Sequence, residues 1–147
     1  MLDSMIRILV CSDLRPSADG ALAQALRLVQ RLHAELHLCY ISRWSPLPVG
    51  AGSLRPGRQR PTPQRAEAHL RALVLRLGWP LGAEPQIHVR IGRPVERILS
   101  LIQEIRPHLV AICAHPQVPY RRPMLGSVAR QLAVRSPIPL LIVPAAA

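Results

Sequence analysis

The sequence predicts an α/β protein, a single domain built as a doubly wound five-stranded parallel sheet with helices on both faces. Three observations predict it. Short apolar runs alternate with amphipathic helical patterns along the chain. Several of the runs are nearly continuous, as in strands buried on both faces. The length, 147 residues, suits one domain, and a chain of that size buries roughly 68–70% of its unfolded surface.

Residues 5–11 (MIRILVC) are apolar apart from Arg7 and form the first strand. SDLRPSADG follows as a turn cluster, where the Ser17 hydroxyl is placed to cap the next helix. In that helix Leu22, Ala25, Leu26, Val29 and Leu32 share one face, with Gln24, Arg27 and Arg31 off it. Residues 34–41 (AELHLCYI) form the second strand. Residues 42–61 are rich in proline, glycine and arginine and show no period, which marks a long functional or disordered loop. Thr62 is the expected cap of the second helix, Pro63 its first residue and Gly78 its stop. Residues 85–91 (PQIHVRI) form the third strand. In residues 92–106, Val95, Ile98, Leu99, Ile102 and Ile105 line one face of a third helix. Residues 108–114 form the fourth strand, a helix runs from about 126 to 135, and residues 138–143 (IPLLIV) form the last strand.

Right-handed crossovers restrict the topology, and the expected order is the Rossmann-like 3-2-1-4-5. In such sheets ligands bind beyond the carboxyl ends of the strands, where the strand order reverses. Asp13, just past the first strand, and the 115–127 loop then face one crevice.

The formal charge is +11, and all 19 basic residues are arginine. A GC-rich coding bias and an anionic partner each account for this. Arg55, Arg58 and Arg60 in the long loop offer only nonspecific phosphate contact. Aromatic residues are scarce, which argues against a stacking platform for single strands. Specific nucleic-acid binding is therefore not expected. No run of 18 apolar residues exists, so no membrane span is expected. The first apolar run lies between Asp3 and Asp13, unlike a signal peptide, and this predicts a cytoplasmic protein.

Cys11, Cys39 and Cys113 form no C-x-x-C and read as buried hydrophobes. Cys11 and Cys113 fall near the ends of strands expected to be neighbours. With His115 they make a soft-metal set, but its irregular spacing argues against one, and no metal is expected. No Ser-His-Asp order, paired carboxylates or HExxH supports catalysis, so the protein reads as non-catalytic.

Four stretches, in the right order, resemble the universal stress protein family. IRILVCSD resembles its opening strand, which ends in aspartate. ALAQALRLVQRLHAELHLCYI resembles its first helix and second strand. GRPVERIL resembles its Gly-x-Pro-x-x-x-Ile helix start, and HLVAICAHPQVPYRRPMLGSVARQLAVRSPIPLLIVP its C-terminal third. Members that bind ATP do so through Gly-x-x-Gly, nine residues, then Gly-Ser or Gly-Thr. Gly126 and Ser127 match the last pair, while Cys113 and Pro116 stand where the two leading glycines belong. Asp13 matches an acid that resembles a ribose or metal contact. Ile41 falls where a residue's backbone meets adenine, and His115 matches a common loop histidine. Leu14 and Arg15 replace the usual Gly-Ser after the aspartate.

A phosphate cradle points backbone N–H groups at oxygen anions, and glycine lets the chain approach. Proline lacks that N–H and fixes φ. Pro116, Pro119 and Pro123 therefore remove donors. A hydrogen bond to a charged group is worth roughly 1.5–3 kcal/mol. Losing one or two costs about one to four decades of affinity. Two features oppose this. Gly126 and Ser127 start a helix whose N-terminus favours anions, and Arg121 and Arg122 offer charged forks. Asp13 serves equally well as a turn cap, and a loop histidine such as His115 is more often simply solvated.

The resemblance thus implies three readings. The first is a dimeric regulatory module, acting under stress through protein partners, with weakened or lost ATP binding. The second is an ATP- or AMP-binding switch, with magnesium, using Gly126, Ser127 and the loop arginines. The third is a weak ATPase. It also implies a homodimer paired through residues 138–143, whose apolar edge would otherwise be exposed.

Overall fold

The computed structural model describes residues 5–43, 61–113 and 125–144. Its strands are β1 (Arg7–Cys11), β2 (Glu35–Arg43), β3 (Gln86–Gly92), β4 (Leu109–Cys113) and β5 (Leu140–Val143). Its helices are α1 (Asp19–Arg31), α2 (Pro63–Arg76), α3 (Pro94–Ile105) and α4 (Ser127–Arg135). The sheet is parallel throughout in the order β3-β2-β1-β4-β5. That is the Rossmann-like, doubly wound arrangement expected from the sequence.

β1 is the central strand, and its apolar run is explained by that place. Leu9 and Val10 have no exposed surface. Successive side chains alternate between faces. Ile8 and Val10 join Leu36, Leu38 and Ala111 under α1 and α2, while Leu9 and Cys11 join Cys39 and Val110 under α3 and α4. Truncating a residue such as Leu9 to alanine costs about 2–5 kcal/mol. The one charged residue of β1, Arg7, donates from Nη2 to the carbonyl oxygen of Arg106 at 3.0 Å. Arg106 ends α3 in a left-handed conformation, with φ 53°. Arg7 thus satisfies a carbonyl that the helix leaves without a partner.

The local signals for α2 hold. The Thr62 hydroxyl accepts from the Arg65 N–H at 3.3 Å, Pro63 is the first helical residue, and Gly78 follows at φ 91°. Ser17, in contrast, does not cap α1. It lies inside a 3-10 turn, Pro16–Ala18, and Ala18 precedes the helix without a side-chain cap. The extra turn moves the helix start to Asp19, beyond the reach of the serine. Leu32 also leaves the predicted stripe: it sits one residue past α1 and is 43% exposed.

β2 runs on to Arg43, so the long loop expected at 42–61 begins later than the sequence implied. Its remainder, with Arg55, Arg58 and Arg60, lies outside the described residues, as do Pro116, Pro119 and Pro123. β5 begins at Leu140, after a Ser136 turn in which the hydroxyl donates to the Ile138 carbonyl at 2.8 Å. No helix among the described residues is long and apolar enough to cross a membrane.

Candidate functional site

The strand order reverses between β1 and β4, so the crevice lies beyond their carboxyl ends. Asp13 stands there, two residues past β1. Its Oδ1 accepts from the Arg15 N–H at 3.0 Å, and its Oδ2 lies 3.5 Å from Arg15 Nε. The Ser12 hydroxyl accepts from the Leu14 N–H at 3.2 Å. These bonds fold the segment back on itself and hold Leu14 at φ 62°. Asp13 therefore caps a turn.

Ile41 occupies a distinctive stretch of backbone. The β1–β2 ladder ends at Cys11–Cys39, extended by one bond from the Ser12 N–H to the Cys39 carbonyl at 3.0 Å. Tyr40, Ile41, Ser42 and Arg43 continue in register with β3 alone. The β1-facing edge of Ile41 thus lies past the end of its neighbour, on the crevice side. Its side chain is half-buried and packs on the α3 and α4 face.

Gly126 precedes α4 in an extended conformation, φ −61° and ψ 159°, and its carbonyl accepts from the Arg130 N–H at 3.0 Å. Ser127 is the first helical residue and is exposed. Early N–H groups of such a helix have no partner within it, and the first turn of α4 carries no acidic side chain. His115, Arg121 and Arg122 lie outside the described residues. Asp13, Ile41 and the Gly126–Ser127 helix start are therefore the described members of the candidate site. Among the described residues, no group of three or more His, Cys, Asp or Glu is arranged to hold a metal ion.

All three cysteines are buried, as the sequence reading expected. Cys11 pairs in register with Ile112, and Cys113 belongs to the core under α1 and α2, across the sheet from Cys11. The Cys11–Cys113 set is thus split by the sheet itself, because one residue of offset turns a side chain to the opposite face. Burial pushes the Cys113 thiol up to about 12, and the Asp13 charge adds to this. The close partner of Cys11 is Cys39: their sulfurs lie 3.1 Å apart, both buried. Strand register creates this pair, and spacing along the chain carries no sign of it.

A second cluster escaped the sequence reading. His37 Nε2 lies 2.9 Å from Glu35 Oε1, and His37 Nδ1 lies 3.0 Å from His88 Nε2. Burial lowers both imidazoles below their ordinary range; Glu35 partly opposes this at His37, and the neighbouring His37 reinforces it at His88. A groove of about 570 Å³ lies at the carboxyl end of the edge strand β3, beside Arg93, Glu96 and Arg97. There Arg97 Nε donates to the Ile91 carbonyl at 2.9 Å, and Arg135 forks onto Glu96 at 2.8 and 3.3 Å. These contacts tie helices and strand together.

Comparison with known proteins agrees with this geometry. The profile described as "Universal stress protein family" matches residues 5–144. Among curated proteins, none matches significantly. A universal stress protein from Archaeoglobus fulgidus superposes with a TM-score of 0.65 at 19% identity, over 94% of this chain and 98% of that one. A universal stress protein in complex with cAMP gives 0.66 at 18%, over 98% and 100%. The Archaeoglobus fulgidus protein in complex with dAMP gives 0.56 at 17%, over 94% and 97%. With the family profile spanning every described residue, this chain belongs to the universal stress protein family.

Proposed function

We propose that the protein is a dimeric regulatory module of the stress response whose nucleotide crevice has weakened affinity, and that it works by binding partners rather than by turnover. The observation that carries this reading is chemical. Three prolines, Pro116, Pro119 and Pro123, stand between the end of β4 and the start of α4, and each lacks the N–H that a phosphate cradle needs. The turn after Asp13 supports it, since the carboxylate already accepts a hydrogen bond from its own backbone. Pairing through β5 follows from its position. Among the described residues it has β4 on one side only, and an apolar edge strand of this kind invites a second copy.

A second reading, an adenine-nucleotide switch, is favoured by a specific observation. Two proteins of this fold were solved with cAMP and dAMP; Gly126 and Ser127 match the Gly-Ser pair of the family's ATP-binding pattern, and the resemblance puts Ile41 where a backbone meets adenine. In that reading Arg121 and Arg122 replace the lost donors with charged ones.

Calorimetric titration with ATP and AMP, with magnesium, separates the two. The weakened-site reading expects no saturable heat up to millimolar nucleotide. Saturable binding that disappears in Ser127→Trp establishes the switch instead. Steady phosphate release that vanishes in Asp13→Ala is the result a weak ATPase requires. Sedimentation tests the dimer independently. Ile142 belongs to neither core cluster, so Ile142→Glu is expected to give a folded monomer. A wild-type chain that sediments as a monomer rejects the β5 pairing.

A further inference from the structure

Cys11 and Cys39 are direct partners in the β1–β2 register, and both side chains turn to the α3 and α4 face. Adjacent strands lie about 4.8 Å apart, within the range of Cα separations of about 4.4–6.8 Å that a disulfide spans. The Cys39 and Cys11 sulfurs already lie 3.1 Å apart. Small side-chain rotations cover the remaining approach to a bond length of about 2.05 Å. We propose that Cys11 and Cys39 are a reversible dithiol–disulfide pair, closed by a hydroperoxide and reopened by a thiol reductant.

The step balances as follows. The Cys11 sulfur attacks one peroxide oxygen, the O–O bond breaks, and water leaves after proton transfer, giving a Cys11 sulfenic acid. The Cys39 sulfur then displaces the hydroxyl from Cys11. The S–S bond forms, the S–O bond breaks, and a second water departs. Two thiols lose two protons and two electrons, and hydrogen peroxide becomes two waters. An external dithiol reverses the bond by exchange through a mixed disulfide.

Cys11 is the sulfur that reacts first. It is the last residue of β1, at the carboxyl edge beside Ser12, and it is 8% exposed against 1% for Cys39. The reaction is slow at neutral pH. The thiolate is the nucleophile, and the Cys39 contact and burial hold the Cys11 thiol well above its ordinary range. Closure therefore speeds up as pH rises. Cys113, buried across the sheet, is the internal control.

Peptide mapping of the native protein decides the matter. Hydrogen peroxide is applied at alkaline pH and removed with catalase. The chain is then unfolded with N-ethylmaleimide present and digested with trypsin. The expected result is one cross-linked species joining the Cys11 and Cys39 peptides, a chain lighter by two hydrogens, and maleimide on Cys113. Dithiothreitol is expected to restore alkylation at both positions. C113S keeps the link and C39S abolishes it. Should C39S fail to fold, the wild type and C113S decide without it. Maleimide on both Cys11 and Cys39 after prolonged exposure, or a link through Cys113, overturns the proposal.

Discussion

Leu14 holds a left-handed backbone, φ 62°, that costs a leucine about 1–2 kcal/mol. It remains there because Ser12 and Asp13 fix the turn and its side chain packs against the core under α1 and α2. Glycine removes the strain but also the packing, whereas alanine removes only the packing. Leu14→Gly is therefore expected to be less destabilising than Leu14→Ala, by about 1 kcal/mol, reversing the usual order of these residues. Urea denaturation of both variants checks this. Gly92 presents the opposite case. At φ 146° it leaves the space that Arg97 fills, with Nε 2.6 Å from where a Cβ would stand. Gly92→Ala adds strain and displaces Arg97 from the Ile91 carbonyl, at an expected cost of about 1–3 kcal/mol by the same measurement. Thr62, Pro63 and Gly78 were legible in the sequence because a cap depends on residues a few positions apart. The Leu14 conformation was not, since nothing about leucine announces a positive φ. Only its place in a family position usually held by glycine marked the site.

Among the elements, β2, β3 and α3 enclose His37 and His88. Glu35 from β2, Arg7 from β1, Arg90 from β3 and Glu104 from α3 supply the surrounding charges. Both imidazoles titrate below their ordinary value of about 6.5. Below that pH the unfolded chain takes up protons that the folded chain refuses. Their contribution is thus complete above pH ~6.5 and is lost as pH falls through the lowered folded values. The melting temperature should be flat above pH ~6.5 and drop as pH falls below it. His88→Gln should remove part of that slope. Element order and type were legible because hydrophobic period is a local property. Exact starts were less so: the 3-10 turn at Pro16–Ala18 displaced α1 from its predicted cap. The histidine and cysteine pairs were invisible for a different reason. Strand register arises only when helices pack the sheet together, and no spacing along one strand reveals its neighbour's offset.

At the scale of the molecule, the alternation of strands and helices with right-handed crossovers left few topologies, and the observed order is the one expected. That topology carries Asp13 and Ile41 to the crevice. The same scale holds the charge, +11 with a pI near 11.6. Such a charge attracts polyanions over a screening length of about 8 Å at physiological ionic strength. The protein should bind a heparin matrix at low salt and release as salt rises, with no preference among nucleic-acid sequences in a competition assay. Arg7 marks one further consequence. Its strand is made first, yet it ends in the middle of the sheet, with β2 on one side and β4 on the other. The carbonyl its guanidinium meets belongs to Arg106, and the His108 N–H that meets its own carbonyl at 2.8 Å comes two residues later. While the ribosome is still short of that point, the nascent chain holds its central, buried strand with one flank bare. A trigger-type chaperone that shields β1 during synthesis would serve this protein until the fourth strand emerges.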